Sequence, residues 1–185
     1  LDHVDGEPTD TEKKVWGDVG KNNNLLFISD STNVSNPGFS LPERTVHKNL
    51  EEIIKNVPGR LFIGTFASQF ERIMKIVEIA EKYGKKVVTE GRSIKTNIEI
   101  AQIAGLLKPK KDTIIPSQDI SKYPPNKILV LATGAQGEEF AALMRISNKK
   151  DKNISFNERD TIILSSSIIP GNEVSVQKLR DNLYR

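Results

Sequence analysis

The sequence predicts an α/β domain built on a largely parallel sheet with helices on both faces. Three observations carry that prediction. Short apolar runs recur at Leu25–Ile28, Leu61–Ile63, Lys86–Thr89, Ile128–Ala132 and Thr161–Leu164, and runs of this length bounded by polar turns read as buried strands. Helical patterns stand between most of them, and strands joined through helices pair in parallel because a parallel pair needs a crossover. At 185 residues the chain also has the length to bury a core as one domain.

Residues 1–24 are polar, and Thr9 or Asp10 is placed to cap a short helix through Trp16. Asp2, His3 and Asp5 lie close together, but one histidine with two carboxylates is not a metal-ligand set, and a solvated segment is the simpler reading. Leu25–Ile28 is expected to be a buried strand that stops at Ser29-Asp-Ser-Thr-Asn33. That polar end serves as a turn or as an active-site rim, and the local hydrogen bonding of Asp, Ser and Asn favours the turn. After the turn at Asn36-Pro-Gly-Phe39, Ser40 is a cap, Pro42 sits in the first helical turn and Glu43 closes a capping box. Val46, Leu50, Ile53 and Ile54 share a face of that helix, and His47 is expected to be exposed.

Pro58-Gly59 ends this helix, and the strand Leu61–Ile63 runs into Gly64-Thr-Phe-Ala-Ser68. A helix with Ile73, Ile76, Val77 and Ala80 on one face stops at Gly84. The strand Lys86–Thr89 ends in Glu90-Gly-Arg-Ser93, and a helix is expected from Thr96 to Leu107. Arg92 beside a helix start suits either a phosphate contact or an ordinary surface position. Thr113–Ile115 reads as a short strand and Tyr123-Pro-Pro-Asn126 as a rigid connector. The strand Ile128–Ala132 breaks into Thr133-Gly-Ala-Gln-Gly, and a helix is expected from Glu138 to Ile146. Strand, glycine turn and helix start in that order leave free N–H groups that suit an anion. The last strand, Thr161–Leu164, ends in Ser165–Asn172, and a helix from Glu173 to Leu183 turns Val176, Leu179 and Leu183 inward. Ligands of such sheets sit beyond the carboxyl ends of the strands, where all these turns lie.

Composition excludes more than it assigns. There is no cysteine, which removes disulfides and thiolate metal sites and fits a cytoplasmic protein. No run approaches the roughly 18 apolar residues of a membrane helix, so no membrane partner is expected. A net charge of +3 is weak support for a nucleic-acid partner and predicts modest, salt-sensitive affinity. The glycine turn at Thr133–Glu138 misses the G-x-G-x-x-G spacing, and no Walker lysine follows it. A nucleotide-cofactor enzyme is therefore a minor reading. With two histidines in the chain, neither a histidine metal pair nor a Ser–His–Asp set is evident.

Five blocks in order resemble the β-CASP domain of ribonuclease J, in the metallo-β-lactamase superfamily of nucleic-acid hydrolases. They are Leu26–Asn33 with Pro37–Phe39; Thr65–Ser68; Glu90–Ser93 with Asn97–Ala101; Thr133–Glu138 with Ala141–Leu143; and Ile169–Glu173. The resemblance implies a Rossmann-like β-CASP domain over residues 25–185, with residues 1–24 leading in from a preceding metallo-β-lactamase domain. It implies a homo-oligomeric, cytoplasmic, zinc-dependent ribonuclease that acts on single-stranded, 5′-monophosphorylated RNA as an endonuclease, a 5′–3′ exonuclease or both. Its two zinc ions would be held by residues before Leu1 and beyond Arg185, with none of the ligands in this chain, and the chain alone would be inactive. Asp30 matches the family's acidic motif. Phe66, Ala67 and Ser68 match a substrate loop, Arg92 and Ser93 belong to a matching turn, and Thr133, Gly134, Gln136, Gly137, Glu138, Ser165 and Ser166 would hold the RNA backbone or its 5′ phosphate.

The sequence departs from the family at Gln69 and Glu71, where Asn and His are usual, and a carboxylate near a polyanion weakens contact there. Ala135 stands where Ser is frequent. These departures leave a second reading open, a non-catalytic RNA-binding or assembly module.

Overall fold

The computed structural model describes residues 9–29, 31, 34–35, 37–38, 41–139 and 141–184. The expectations for Asp2, His3, Asp5, Asp30, Asn33, Asn36, Phe39 and the Ser40 cap lie outside them. The chain divides into two units, Leu1–Asn49 and Leu50–Arg185.

In the first unit, α1 runs from Asp10 to Gly20, one turn past the expected end at Trp16. Thr9 forms a full capping box with Glu12, each satisfying an otherwise unpaired N–H at the helix start. The expected buried strand at Leu25–Ile28 is absent. These four side chains are 68% to 102% exposed and the backbone is irregular. An apolar run becomes a strand only where a neighbour pairs with its N–H and C=O groups, and no described residue does so. Phe27 instead meets Trp16 edge to face, 6.2 Å between centroids. His47 is half-buried rather than exposed, with Nε2 3.3 Å from Glu43 Oε1 one turn earlier. Both residues belong to α2 (Glu43–Asn56), which crosses into the second unit and buries Leu50 and Ile54 there.

The second unit holds a four-stranded parallel sheet: β1 (Leu61–Gly64), β2 (Lys86–Glu90), β3 (Ile128–Ala132) and β4 (Thr161–Leu164), in the order β2-β3-β1-β4. β1 and β3 are buried along their whole length, whereas β4 at the edge is half-buried. That matches central strands made only of apolar residues and glycine. The crossovers are α3 (Phe70–Lys82), α4 (Arg92–Ile103) and α5 (Ala142–Ser147), and α6 (Glu173–Leu183) closes the chain. On α3, Ile73, Ile76, Val77 and Ala80 are all buried as their spacing requires, each large side chain contributing roughly 2 kcal/mol. Phe62, Val88, Val130, Ile146 and Ile154 form one core cluster, with Phe156 edge-on to Phe62 at 4.6 Å.

Three further expectations are corrected. α4 starts at Arg92, directly after Gly91, and ends at Ile103. Gly105 takes φ +70° there, and Leu106 and Leu107 N–H groups return to the Ala101 carbonyl, a glycine stop that acts before Pro109 can. Thr113–Ile115 makes an isolated bridge to Val87 and no strand. α5 opens at Ala142, not Glu138, because residues 133–139 are spent in turns.

Candidate functional site

Parallel pairing places the carboxyl ends of all four strands at one edge, with Gly64 beside Ala132 and Leu164, and Glu90 beside Ala132. The turns that follow are tied to each other. Thr65 N–H donates to the Ala132 carbonyl at 3.2 Å, Thr133 N–H to Glu90 O at 3.0 Å and Ser165 N–H to Gly64 O at 2.7 Å. Side chains reinforce the frame: Asn97 Nδ2 donates to Ala67 O at 2.6 Å, and Arg72 donates to Ser165 O at 2.7 Å.

The sequence-predicted residues therefore share an edge but play different parts. Ser68, Arg92, Ser93 and Glu138 are exposed, while Phe66, Ala67, Thr133, Ser165 and Ser166 are half-buried. Asp30 lies outside the described residues. Gly134, Gln136 and Gly137 are buried. Gln136, 2% exposed, donates to Ser166 Oγ at 3.2 Å and Ser167 O at 2.8 Å, and accepts from Ile169 N–H at 2.8 Å. Its amide is consumed in joining the turn after β3 to the loop after β4, so it serves the edge by positioning that loop. Gly137 has φ +72°, and a Cβ there would strike the Ser175 carbonyl; glycine alone admits this approach of turn and helix. The glycine turn is thus a packed joint, and the anion corner expected from a helix opening at Glu138 is not formed.

The open part of the edge is a cleft of about 310 Å³ lined by Glu90, Gly91, Arg92, Lys95, Thr133, Ala142 and Arg145. Gly91, at φ +110°, lets the start of α4 press against the Thr133 side chain. Glu90 is 7% exposed, and its carboxylate lies 3.7 Å from Lys95 Nζ and 3.6 Å from Arg145. Arg145 also pairs with Asp151 at 2.9 Å. Burial raises the Asp151 pKa, but donors from Asn153 N–H, the Arg145 guanidinium and Ile154 N–H outweigh it, and the net value is lowered. With Arg92 at the rim, cations exceed carboxylates around this cleft, an arrangement suited to a phosphate group. Sequence reasoning missed Lys95 and Arg145. Lys95 stands one turn after Arg92, a signal hidden by placing the helix start at Thr96.

Two of the three departures, Glu71 and Ala135, have structural explanations. Glu71 lies exposed in the first turn of α3, where a carboxylate complements the positive end of the helix. Ala135 is buried, so a missing hydroxyl there removes no surface donor. Among the described residues no group of three His, Cys, Asp or Glu side chains could hold a metal ion. No described helix is long and apolar enough to cross a membrane.

Comparison with known proteins agrees with this architecture. Residues 58–183 match the family described as Ribonuclease J, beta-CASP domain. Ribonuclease J of Mycoplasma genitalium is 39% identical over 90% of this chain and 29% of its own length. That of Thermus thermophilus is 38% identical over 96% of this chain and 32% of its own, and that of Helicobacter pylori 34% identical over 100% and 27%. The chain spans less than a third of the length of these curated relatives. On the family match and these identities, the chain belongs to the ribonuclease J β-CASP domain family.

Proposed function

We propose that this chain is the RNA-holding domain of a ribonuclease J-like phosphodiesterase. The observation that carries the reading is the family match over residues 58–183, joined to a strand-end edge whose cleft gathers Arg92, Lys95 and Arg145. In this reading the cleft and the exposed rim residues Ser68 and Ser93 hold single-stranded, 5′-monophosphorylated RNA against an adjoining metallo-β-lactamase domain, and Glu138, whose carboxylate accepts from Gln136 N–H, shapes the rim. Two zinc ions there would activate water for attack on the phosphodiester. The described side chains do not fit a zinc site, and this chain's part is binding and orientation. Asp30 keeps its proposed role in the acidic motif. The parent would act in the cytoplasm, as a homo-oligomer, endonucleolytically, from the 5′ end, or both.

The test uses the full-length protein on 5′-monophosphorylated single-stranded RNA. Turnover that chelation abolishes and Zn²⁺ restores is the expected result. RNA binding without turnover, in a protein with zinc bound, would instead establish the non-catalytic module that Gln69 and Glu71 suggest.

A further inference from the structure

The opposite end of the sheet, where the strands begin, carries an accumulation of positive charge that the strand-end cleft does not explain. Lys127 immediately precedes β3, Lys86 opens β2, and the loop holding Lys110 and Lys111 is tied to β2 through the Val87–Ile114 bridge. The ammonium groups here are held by backbone carbonyls: Lys85 by Asn126 O at 2.7 Å, Lys86 by Asp112 O at 2.7 Å and Lys127 by Tyr83 O at 3.4 Å. A carbonyl orients an ammonium without cancelling its charge. Among the described residues no ion pair to a carboxylate involves Lys86, Lys110, Lys111 or Lys127, whereas nearby Lys82 and Lys122 are paired with Glu51 and Asp119. Other carboxylates share the region: Glu158, beside Arg159, is exposed and lines a cleft with Pro125 and Asn126 next to Lys127, and Asp160 there is paired with Arg60. Glu81 is occupied by the Lys110 N–H and the Thr113 hydroxyl, and Asp112 is exposed. The local field has a separate signature: burial and then Lys127 pull the Lys85 pKa below the ordinary lysine value.

We propose that this strand-start surface is a second contact for the RNA backbone, with Lys110, Lys111 and Lys127 meeting phosphates and Lys86 supporting them. The five residues of β2 span about 16 Å, so one strand of RNA held in the strand-end cleft reaches this surface only if it continues well past the cleft. Short RNA would use one end of the sheet and long RNA both. The inference rests on the RNA reading above and adds a length dependence to it. Charge complementarity favours a polyphosphate chain because Lys110, Lys111 and Lys127 are exposed and face no carboxylate partner among the described residues, while half-buried Lys86 is held over the Tyr123 ring behind them.

The test compares full-length wild type with the K110Q/K111Q/K127Q variant on a trinucleotide and on an RNA of about 40 nucleotides, over a salt series. Retention of the wild-type melting temperature and restoration by the corresponding arginine variant control for folding and for charge. The expected result is unchanged trinucleotide turnover, roughly tenfold weaker binding of the long RNA and a salt slope reduced by about 2, since each single-strand phosphate contact contributes about 0.7. Equal long-RNA affinity and equal slope would overturn the second contact while leaving the cleft reading intact. A wild-type protein that binds neither RNA would overturn both. Loss of polyglutamate binding with unchanged RNA binding would overturn the proposal by assigning the surface to an acidic protein.

Discussion

Gln136 shows how one side chain can matter to a site without meeting its ligand. It closes hydrogen bonds to Ser166, Ser167 and Ile169, so truncation leaves buried polar groups unpaired. Gln136→Ala is expected to lower unfolding free energy by about 1–3 kcal/mol, read from the urea midpoint, and to weaken RNA binding in parallel. Gly137→Ala is expected to cost about 3 kcal/mol through a strained backbone and a collision with Ser175. Replacing the whole 133–138 turn would therefore unfold the edge. Lys95 is the contrasting case: it is exposed and only loosely paired with Glu90. Lys95→Gln should leave stability within about 0.5 kcal/mol and weaken binding of 5′-monophosphorylated RNA about 3–10-fold, and unaltered affinity would remove it from the site.

At the scale of elements, the four strands of the sheet were legible because each is an apolar run that ends in polar or glycine turns. What misled was everything that depends on a partner. Leu25–Ile28 has the composition of the other strands and no described neighbour to pair with, and composition cannot supply one. The helix expected at Glu138 failed for a local reason: Gly137 turns to positive φ and Glu138 accepts from Gln136 N–H, which postpones α5 by four residues. Charge pairs were likewise invisible in one dimension. Arg60 and Asp160 lie 100 residues apart yet make a two-pronged contact, Nε to Oδ1 at 2.8 Å and Nη2 to Oδ2 at 2.5 Å, that ties the start of β1 to β4. Asp160 is 1% exposed at its side chain, and Asp160→Asn should cost about 3 kcal/mol, with β4 amides losing hydrogen-exchange protection first.

The pH response of the whole molecule follows from its lowered carboxylates. Asp151 has an ordinary value of 3.8 and a lower one when folded. Its stabilising contribution is therefore complete above 3.8 and lost as pH falls through the folded value. Glu81, lowered chiefly by the Lys110 N–H and then by the Thr113 hydroxyl, acts in the same sense below 4.5. Denaturation should show a stability plateau down to about pH 5 and a decline below it. Asp151→Asn should be less stable on the plateau and flatter in the acid range; an identical acid slope would remove Asp151 from that account.

The strand order has a consequence for synthesis. Leu61 pairs with Leu129, and β1 finds its other partner only at Thr161. At about 5–20 residues per second, the newly made apolar segment 61–64 waits several seconds on the ribosome before β3 emerges. Substitutions that make β1 still more apolar should consequently reduce soluble yield more than they change the melting temperature of whatever protein is recovered.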